Sequence, residues 1–185
     1  MSDQIATKLP DYGTRTDEIT LFAGPCSVES AEQFNEVAEC IAGLGLTWIR
    51  GGAFKPRTNP HSFQGLGEEA LKIMADAGQK YGLKTLTEVM DSAHCEMVHS
   101  YVDGLQVGAR NFQNFSLLKN IGHVTRDSHK MVLFKRGFAG TISEWLSACD
   151  YITMEGNDNV VLCERGIRTF ETATRFTLDI SAVPV

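Results

Sequence analysis

The sequence lacks long apolar runs, paired cysteines and an excess of positive charge. No stretch approaches the roughly 18–20 apolar residues of a membrane-spanning helix, and the amino terminus has no apolar run of a secretory signal. The five cysteines are widely spaced without a Cys-x-x-Cys pair, which argues against a disulfide framework and a structural zinc site. The net charge of −6 argues against nucleic-acid binding. We therefore expect one cytoplasmic domain without membrane or nucleic-acid partners.

Six short apolar runs predict β-strands, because each is too short for a helix. They cover residues 19–23, 46–49, 85–89, 104–107, 131–134 and 159–163. Amphipathic segments between them predict helices at residues 31–44, 67–81, 92–101, 115–121 and 142–149. Ser30, Asp91 and Thr141 are the expected amino-terminal caps, and Gly82 ends the second helix. Strands and helices therefore alternate along the chain.

This alternation predicts an α/β fold with a parallel sheet, either an open doubly wound sheet or a closed (β/α)8 barrel of the TIM type. No Gly-x-Gly-x-x-Gly motif opens a helix after the first strand, which favours the barrel. Residues 1–18 are interpreted as a polar leader that packs across the barrel floor. Residues 19–185 are interpreted as the barrel domain.

Basic residues follow the predicted strands at the positions where barrels of this class form their active sites. Eight of the 17 basic residues lie there: Arg50, Lys55, Arg57, Arg110, Lys135, Arg136, Arg165 and Arg168. Any one of them could be a surface charge or a salt-bridge partner. Their recurrence at successive strand ends instead favours an anion site, and converging arginines best fit a phosphorylated carboxylic acid.

Two further strand-end residues have open interpretations. Cys26, beside Gly24 and Pro25, is either a small buried hydrophobic residue or a soft metal ligand or nucleophile. Glu88, near the end of the third strand, either takes part in substrate binding or pairs with an arginine of the basic cluster.

Six segments together resemble a known family. They are residues 23–30 (AGPCSVES), 50–58 (RGGAFKPRT), 65–69 (GLGEE), 106–111 (QVGARN), 133–137 (LFKRG) and 163–172 (CERGIRTFET). The segments resemble the microbial, short-barrel (type Iβ) branch of the 3-deoxy-D-arabino-heptulosonate 7-phosphate (DAHP) synthases. The resemblance implies a transferase that condenses phosphoenolpyruvate with erythrose 4-phosphate in the first step of the shikimate pathway to chorismate and the aromatic amino acids.

The resemblance also implies how phosphoenolpyruvate is bound. Arg110 and Arg165 would bind its phosphate. Arg50, Lys55 and Lys135 would face its carboxylate and reacting carbons, with Lys55 as the expected proton donor. A fixed set of cations at these positions would serve both binding and stabilisation of the transition state.

The second substrate and a metal complete the site that the resemblance implies. Arg57, Thr58 and Arg168 would receive the phosphate of erythrose 4-phosphate. Cys26 would be one ligand of a divalent metal ion, either manganese, iron, cobalt or zinc. In the family, a histidine, a glutamate and an aspartate of the seventh and eighth units supply the other ligands.

The alternative family makes 3-deoxy-D-manno-octulosonate 8-phosphate from phosphoenolpyruvate and arabinose 5-phosphate. It typically carries Lys-Ala-Asn-Arg-Ser after the second strand, whereas this sequence has Lys-Pro-Arg-Thr at residues 55–58, which favours the DAHP synthases.

The spacing of the strand ends indicates that the barrel is incomplete. At about 28 residues per unit, eight units need close to the ~250 residues of such barrels, so the sequence accounts for six units and is expected to be truncated after the sixth strand. A second alternative is therefore a non-catalytic fragment that binds phosphoenolpyruvate. Six strands leave two exposed edges, from which we predict a homo-oligomer.

Overall fold

The computed structural model describes residues 19–185, so the predicted leader lies outside the described residues. Six strands and five α-helices alternate through the described part of the chain. In order they are β1 Phe22–Ala23, α1 Ala31–Gly43, β2 Trp48–Arg50, α2 Glu68–Tyr81, β3 Lys84–Val89, α3 Cys95–Tyr101, β4 Gly104–Val107, α4 Phe115–Thr125, β5 Met131–Lys135, α5 Ile142–Thr153 and β6 Val160–Cys163. None of the described helices has the length and apolar character needed to cross a membrane.

The strands form one parallel sheet in the order β1 to β6, so each strand pairs with its successor. A doubly wound sheet would reverse its strand order at a switch point, and this sheet does not. The predicted arc of six β/α units of a TIM-type barrel is confirmed. All six strands therefore present their carboxyl ends at one edge, which we call the mouth.

The helix boundaries follow from local capping. The Ser30 hydroxyl accepts a hydrogen bond from the Gln33 amide at 3.1 Å, and Thr141 and Glu144 form a reciprocal capping box at the start of α5. Gly82 ends α2 with a φ of 67°, a left-handed conformation that glycine adopts without strain.

Three helices differ from the prediction. Helices α4 and α5 each run four residues beyond their expected ends, to Thr125 and Thr153. Residues 92–101 divide into a 3-10 turn, Ser92–His94, and α3. The Asp91 carboxylate accepts from the Ala93 amide at 2.9 Å, and this tight contact accompanies the 3-10 start.

The sheet has two faces with different packing, because alternate residues of a strand point in opposite directions. The outer face packs against the helices and buries Ile49, Leu105 and Phe134 among others. The inner face holds a separate apolar cluster made of Trp48, Leu86, Met131 and Leu133, with Phe22, Val161 and Cys163 packed against it. Whether a strand-end residue enters the barrel interior follows from this alternation.

Candidate active site

Predicted site residues converge where the inner face reaches the mouth. Arg50, Glu88 and Lys135 each lie two residues beyond an inner-face residue of the same strand, so they point to the same side. Arg165 stands in the same relation to Cys163, just after β6. The structure therefore brings three cations and one carboxylate of the predicted set together.

Lys135 interacts with charges of both signs at the mouth. Burial has the largest effect and lowers the pKa of its ammonium group, and the charges of Arg50 and Arg165 lower it further. Glu88 and the Cys163 thiol act in the opposite direction. The three cations Arg50, Lys135 and Arg165 outnumber the one carboxylate, Glu88, so the inner-face group carries a net positive charge that favours a negatively charged ligand.

Lys55 and Cys26 form a close pair between the ends of β1 and β2. The Lys55 ammonium donates to the Cys26 carbonyl at 2.6 Å and to its Sγ at 3.1 Å. Cys26 is exposed, so it is not the buried hydrophobic residue considered from the sequence. The Lys55 hydrogen bond lowers the pKa of the thiol, and the charge of Arg50 adds to this effect. A side chain at position 52 would press on both partners, which explains Gly52.

Glu88 accepts a hydrogen bond from Gln106, which the sequence did not identify as a site residue. The Gln106 side-chain amide donates to the Glu88 carboxylate at 2.9 Å, so Glu88 is oriented by an amide rather than by an arginine. A Cβ on Gly108 would collide with this carboxylate. Gln106 lies on β4 two residues after the inner-facing Gly104, and this two-residue spacing is the signal that could have placed Gln106 on the inner face.

Arg136 does not join the anion-binding group that the sequence predicted. Its guanidinium is buried and donates to Glu164 Oε2 at 2.8 Å, to Asp179 Oδ2 at 2.7 Å and to the Gly140 carbonyl at 3.0 Å. Arg136 lies one residue beyond Lys135, so strand alternation directs it to the outer face. It ties the ends of β5 and β6 to the segment around Asp179.

Arg57 and Thr58 lie in the exposed loop after β2. Arg57 Nε donates to the Phe63 carbonyl at 3.2 Å, and its charge contributes to the lowered pKa of Cys26. The loop is therefore near the Lys55–Cys26 pair at the rim of the mouth, where the predicted receptor for a second phosphate is expected.

The segment that follows β6 folds back over the strand ends. Ile167 and Thr177 form an antiparallel bridge, and the Arg168 amide donates to the Phe138 carbonyl at 2.7 Å. This fold-back stacks the rings of Phe138 and Phe176 with centroids 5.3 Å apart and planes 10° apart. We call these two residues the phenylalanine pair.

Four guanidinium groups surround the phenylalanine pair. The sequence predicted that Arg110, Arg165 and Arg168 bind substrate, and the structure adds Arg175. The guanidinium carbon of each lies within 5.7 Å of a ring centroid of the pair. Sequence reasoning missed Arg175 because it follows no strand, and only the fold-back brings it to the mouth.

The described residues do not by themselves form a metal site. Residues 19–185 contain no group of three or more histidine, cysteine, aspartate and glutamate side chains placed to hold an ion. Cys26 is one candidate donor, and its sulfur accepts a hydrogen bond from Lys55. A catalytic metal ordinarily needs about three protein ligands, so the described residues do not fit a complete centre.

A cleft of about 420 Å³ lies at the opposite, amino-terminal end of β3, lined by Gly82, Lys84 and Asp103 among others. It has none of the converging cations of the mouth. The mouth, rather than this cleft, is therefore the candidate active site.

Comparison with known proteins agrees with this geometry. Residues 12–185 match the sequence model of the DAHP synthetase I family. The chain belongs to this family. A phospho-2-dehydro-3-deoxyheptonate aldolase of Thermotoga maritima is 52% identical over 166 residues, which is 90% of this chain and 48% of that protein. The resemblance to the DAHP synthases is confirmed.

Solved structures of the DAHP synthetase I family share the fold. A crystal structure of a Thermotoga maritima DAHP synthase matches with a TM-score of 0.84 at 50% identity, covering 91% of this chain and 48% of that chain. A truncated form of the 3-deoxy-D-arabino-heptulosonate 7-phosphate synthase from Thermotoga maritima matches with a TM-score of 0.79 at 49% identity, covering 90% and 58%. The six parallel strands are thus shared with DAHP synthase barrels.

Relatives from the alternative, octulosonate family are less similar to this chain than these proteins are. A 2-dehydro-3-deoxyphosphooctonate aldolase of Thiobacillus denitrificans is 32% identical over 154 residues, which is 80% of this chain and 54% of that protein. The chain spans about half the length of the curated relatives it matches.

Proposed function

We propose that the protein condenses phosphoenolpyruvate with erythrose 4-phosphate to give 3-deoxy-D-arabino-heptulosonate 7-phosphate and inorganic phosphate, and that this chain supplies the substrate-binding residues. The observation that carries the proposal is the inner-face group at the mouth, in which Arg50, Lys135 and Arg165 share one face of the sheet with the carboxylate of Glu88. Membership of the DAHP synthetase I family supports it.

Phosphoenolpyruvate combines the two anionic groups that this arrangement suits. Arg165 and Arg110 bind its phosphate, since planar guanidinium groups donate two parallel hydrogen bonds to an oxyanion. Arg50 and Lys135 bind the carboxylate from the neighbouring strand ends. Charge–charge interactions are strengthened there because Lys135 is partly withdrawn from water.

Lys55 supplies the proton that the condensation requires. Carbon 3 of the enol phosphate forms a bond to the aldehyde carbon, and the aldehyde oxygen takes a proton from the Lys55 ammonium group. The electrons of the double bond between carbons 2 and 3 form the new bond, so water adds to the electron-deficient carbon 2 and returns one proton to Lys55. The bond between carbon 2 and the phosphate oxygen then breaks, the new hydroxyl gives its proton to the departing phosphate, and a ketone remains at carbon 2. The exposed Lys55–Cys26 pair at the mouth is accessible to a substrate carbonyl, which supports this role.

The phosphate of the four-carbon sugar binds at the rim. Arg57 and Thr58 of the exposed loop after β2 receive it, together with Arg168. Cys26 as a metal donor, the homo-oligomer and the cytoplasmic location stay predictions, and no step above depends on them.

Calorimetry of the purified chain tests the proposal through ligand selectivity. We expect phosphoenolpyruvate to bind at least about tenfold more tightly than pyruvate or inorganic phosphate, because it engages both halves of the mouth. With phosphoenolpyruvate present, erythrose 4-phosphate should bind more tightly than arabinose 5-phosphate. Equal affinity for all three small anions would contradict the proposed substrate, and a preference for arabinose 5-phosphate would favour the octulosonate reaction.

Turnover is tested separately by adding both substrates and manganese and following the enol absorbance. Residues 19–185 contain no group of three potential ligands that could hold a metal ion, so we expect this chain to bind phosphoenolpyruvate without consuming it. If the chain by itself forms product, further metal ligands are not needed, and the proposed reaction is supported.

A further inference from the structure

The phenylalanine pair holds two arginines from the segment after β6 against one ring. The guanidinium carbon of Arg165 lies 4.0 Å from the centroid of Phe176, and that of Arg175 lies 5.2 Å from the same centroid. Arg165 also lies 5.0 Å from the centroid of Phe138. Both cations are therefore located on one aromatic surface at the mouth.

Among residues 19–185, no carboxylate lies within 4 Å of either guanidinium group to form an ion pair. The nearby carboxylates of Glu164 and Asp179 are engaged by Arg136 on the outer side, and neither forms an ion pair with Arg165 or Arg175. Burial lowers the pKa of Arg165, the charges of Arg175 and Arg110 lower it further, and Cys163 and Glu164 act in the opposite direction. Arg175 and Arg110 are therefore each within electrostatic reach of Arg165. The aromatic faces offset only part of this repulsion.

A bound dianion is the natural counter-charge for such a group. A phosphate monoester has several acceptor oxygens, and two guanidinium groups can each donate hydrogen bonds to different ones. Packing against Phe176 fixes both guanidinium groups. Arg165 Nη1 donates to the Gly166 carbonyl at 3.2 Å, and the other N–H groups of the two arginines can donate to the ligand. The fold-back itself is held by the Ile167–Thr177 bridge, so Arg175 is positioned before the ligand arrives.

We propose that Arg175 binds the phosphate of phosphoenolpyruvate together with Arg165, with Phe176 as the residue that positions both guanidinium groups. The inference rests on the proposed function and extends its phosphate subsite to a residue that follows no strand. The segment from Gly166 to Asp179 thereby becomes part of the substrate site rather than a connection.

Titration of Arg175 variants by calorimetry tests this assignment. We expect Arg175→Ala to weaken phosphoenolpyruvate and inorganic phosphate by a similar factor of about ten, because a charge-assisted hydrogen-bonding partner of both is lost. Arg175→Lys keeps the charge without the planar fork and should lose less. Phe176→Leu should also weaken both ligands, since it removes the positioning ring. Arg126→Ala, on the exposed end of α4, is the matched control and should bind as the wild type does.

The outcomes separate this inference from the proposed function. If Arg175→Ala binds phosphoenolpyruvate with the affinity of the wild type, the proposed role of Arg175 is wrong, whereas the proposed substrate is unaffected. Failure of the folded wild-type chain to bind phosphoenolpyruvate would overturn both. Circular dichroism shows whether each variant is folded, so that a weaker affinity is not mistaken for unfolding. The smaller loss of affinity expected for Arg175→Lys is a second control, because an unfolded variant would not bind.

Discussion

At the scale of single residues, strand alternation separates the cations that enter the mouth from those that hold the fold. Lys135 and Arg136 are adjacent and both basic, but Lys135 enters the mouth whereas Arg136 is buried between Glu164 and Asp179. The sequence predicted the basic cluster without this distinction. The two-residue spacing of Met131, Leu133 and Lys135 indicates that Lys135 shares the inner face and that Arg136 does not. This part of the site was therefore predictable from the sequence pattern.

The Lys55–Cys26 pair should be visible in thiol chemistry. Since the Lys55 hydrogen bond lowers the pKa of Cys26, the reactive thiolate persists to lower pH in the wild type. We expect Lys55→Met to shift the pH profile of Cys26 alkylation to higher values, measured by mass spectrometry of the Cys26 peptide. Lys72→Gln on α2 is the control and should leave the profile in place, whereas an unshifted profile in Lys55→Met would contradict the pairing.

Gly108 is expected to be required for the placement of Glu88. Gly108→Ala puts a methyl group against the Glu88 carboxylate, which should lower the free energy of unfolding by about 1–3 kcal/mol and weaken phosphoenolpyruvate binding. Gly43→Ala at the end of α1 meets no atom within 4 Å and should instead be neutral or stabilise by roughly 0.5–1 kcal/mol. Denaturant melts compare the two, and equal effects would argue against the steric account.

At the scale of elements, local sequence predicted the repeating units better than the segment after β6. Helix starts were predictable because Ser30 and Thr141 act through contacts only three residues away. The fold-back of residues 166–179 depends on contacts with Arg136 and Phe138, which follow β5 rather than β6. No local sequence pattern predicts such contacts. Arg175 therefore could not be assigned to the site from the sequence.

Asp179 should control how firmly the fold-back is held. Its pKa is lowered by the hydrogen bond from Arg136, so its contribution is present above the ordinary pKa of aspartate and is lost as the pH falls through the lower folded value. We expect the amides of Ile167, Arg168 and Thr177 to lose protection in strongly acidic solution, that is, to exchange faster relative to the intrinsic rate of an unprotected amide at the same pH.

Asp179→Asn should produce this faster exchange near neutral pH, because it removes the charge from the contact with Arg136. Asp127→Asn, at an exposed position, is the matched control. Exchange rates that are the same in Asp179→Asn and wild type would exclude the carboxylate as the anchor.

At the scale of the whole molecule, the order of elements was predictable because parallel β/α units repeat one local pattern. The number of units, the parallel sheet and the edge that carries the site all followed from spacing and composition. The predicted strand residues 19–23 shrink to Phe22–Ala23, because only these pair with β2. Pairing is a long-range property, and hydrophobicity alone does not determine where it begins.

The central claim is that inner-face cations at the mouth bind phosphoenolpyruvate. The most direct measurement is a calorimetric titration of phosphoenolpyruvate into the wild-type chain, Lys135→Met and the control Lys119→Met on α4. We predict saturable binding at one site in the wild type and the control, and a loss of at least about tenfold in Lys135→Met, because a half-buried cation facing the ligand is removed. Equal affinities in all three folded proteins, or no saturable binding in the wild type, would contradict the account.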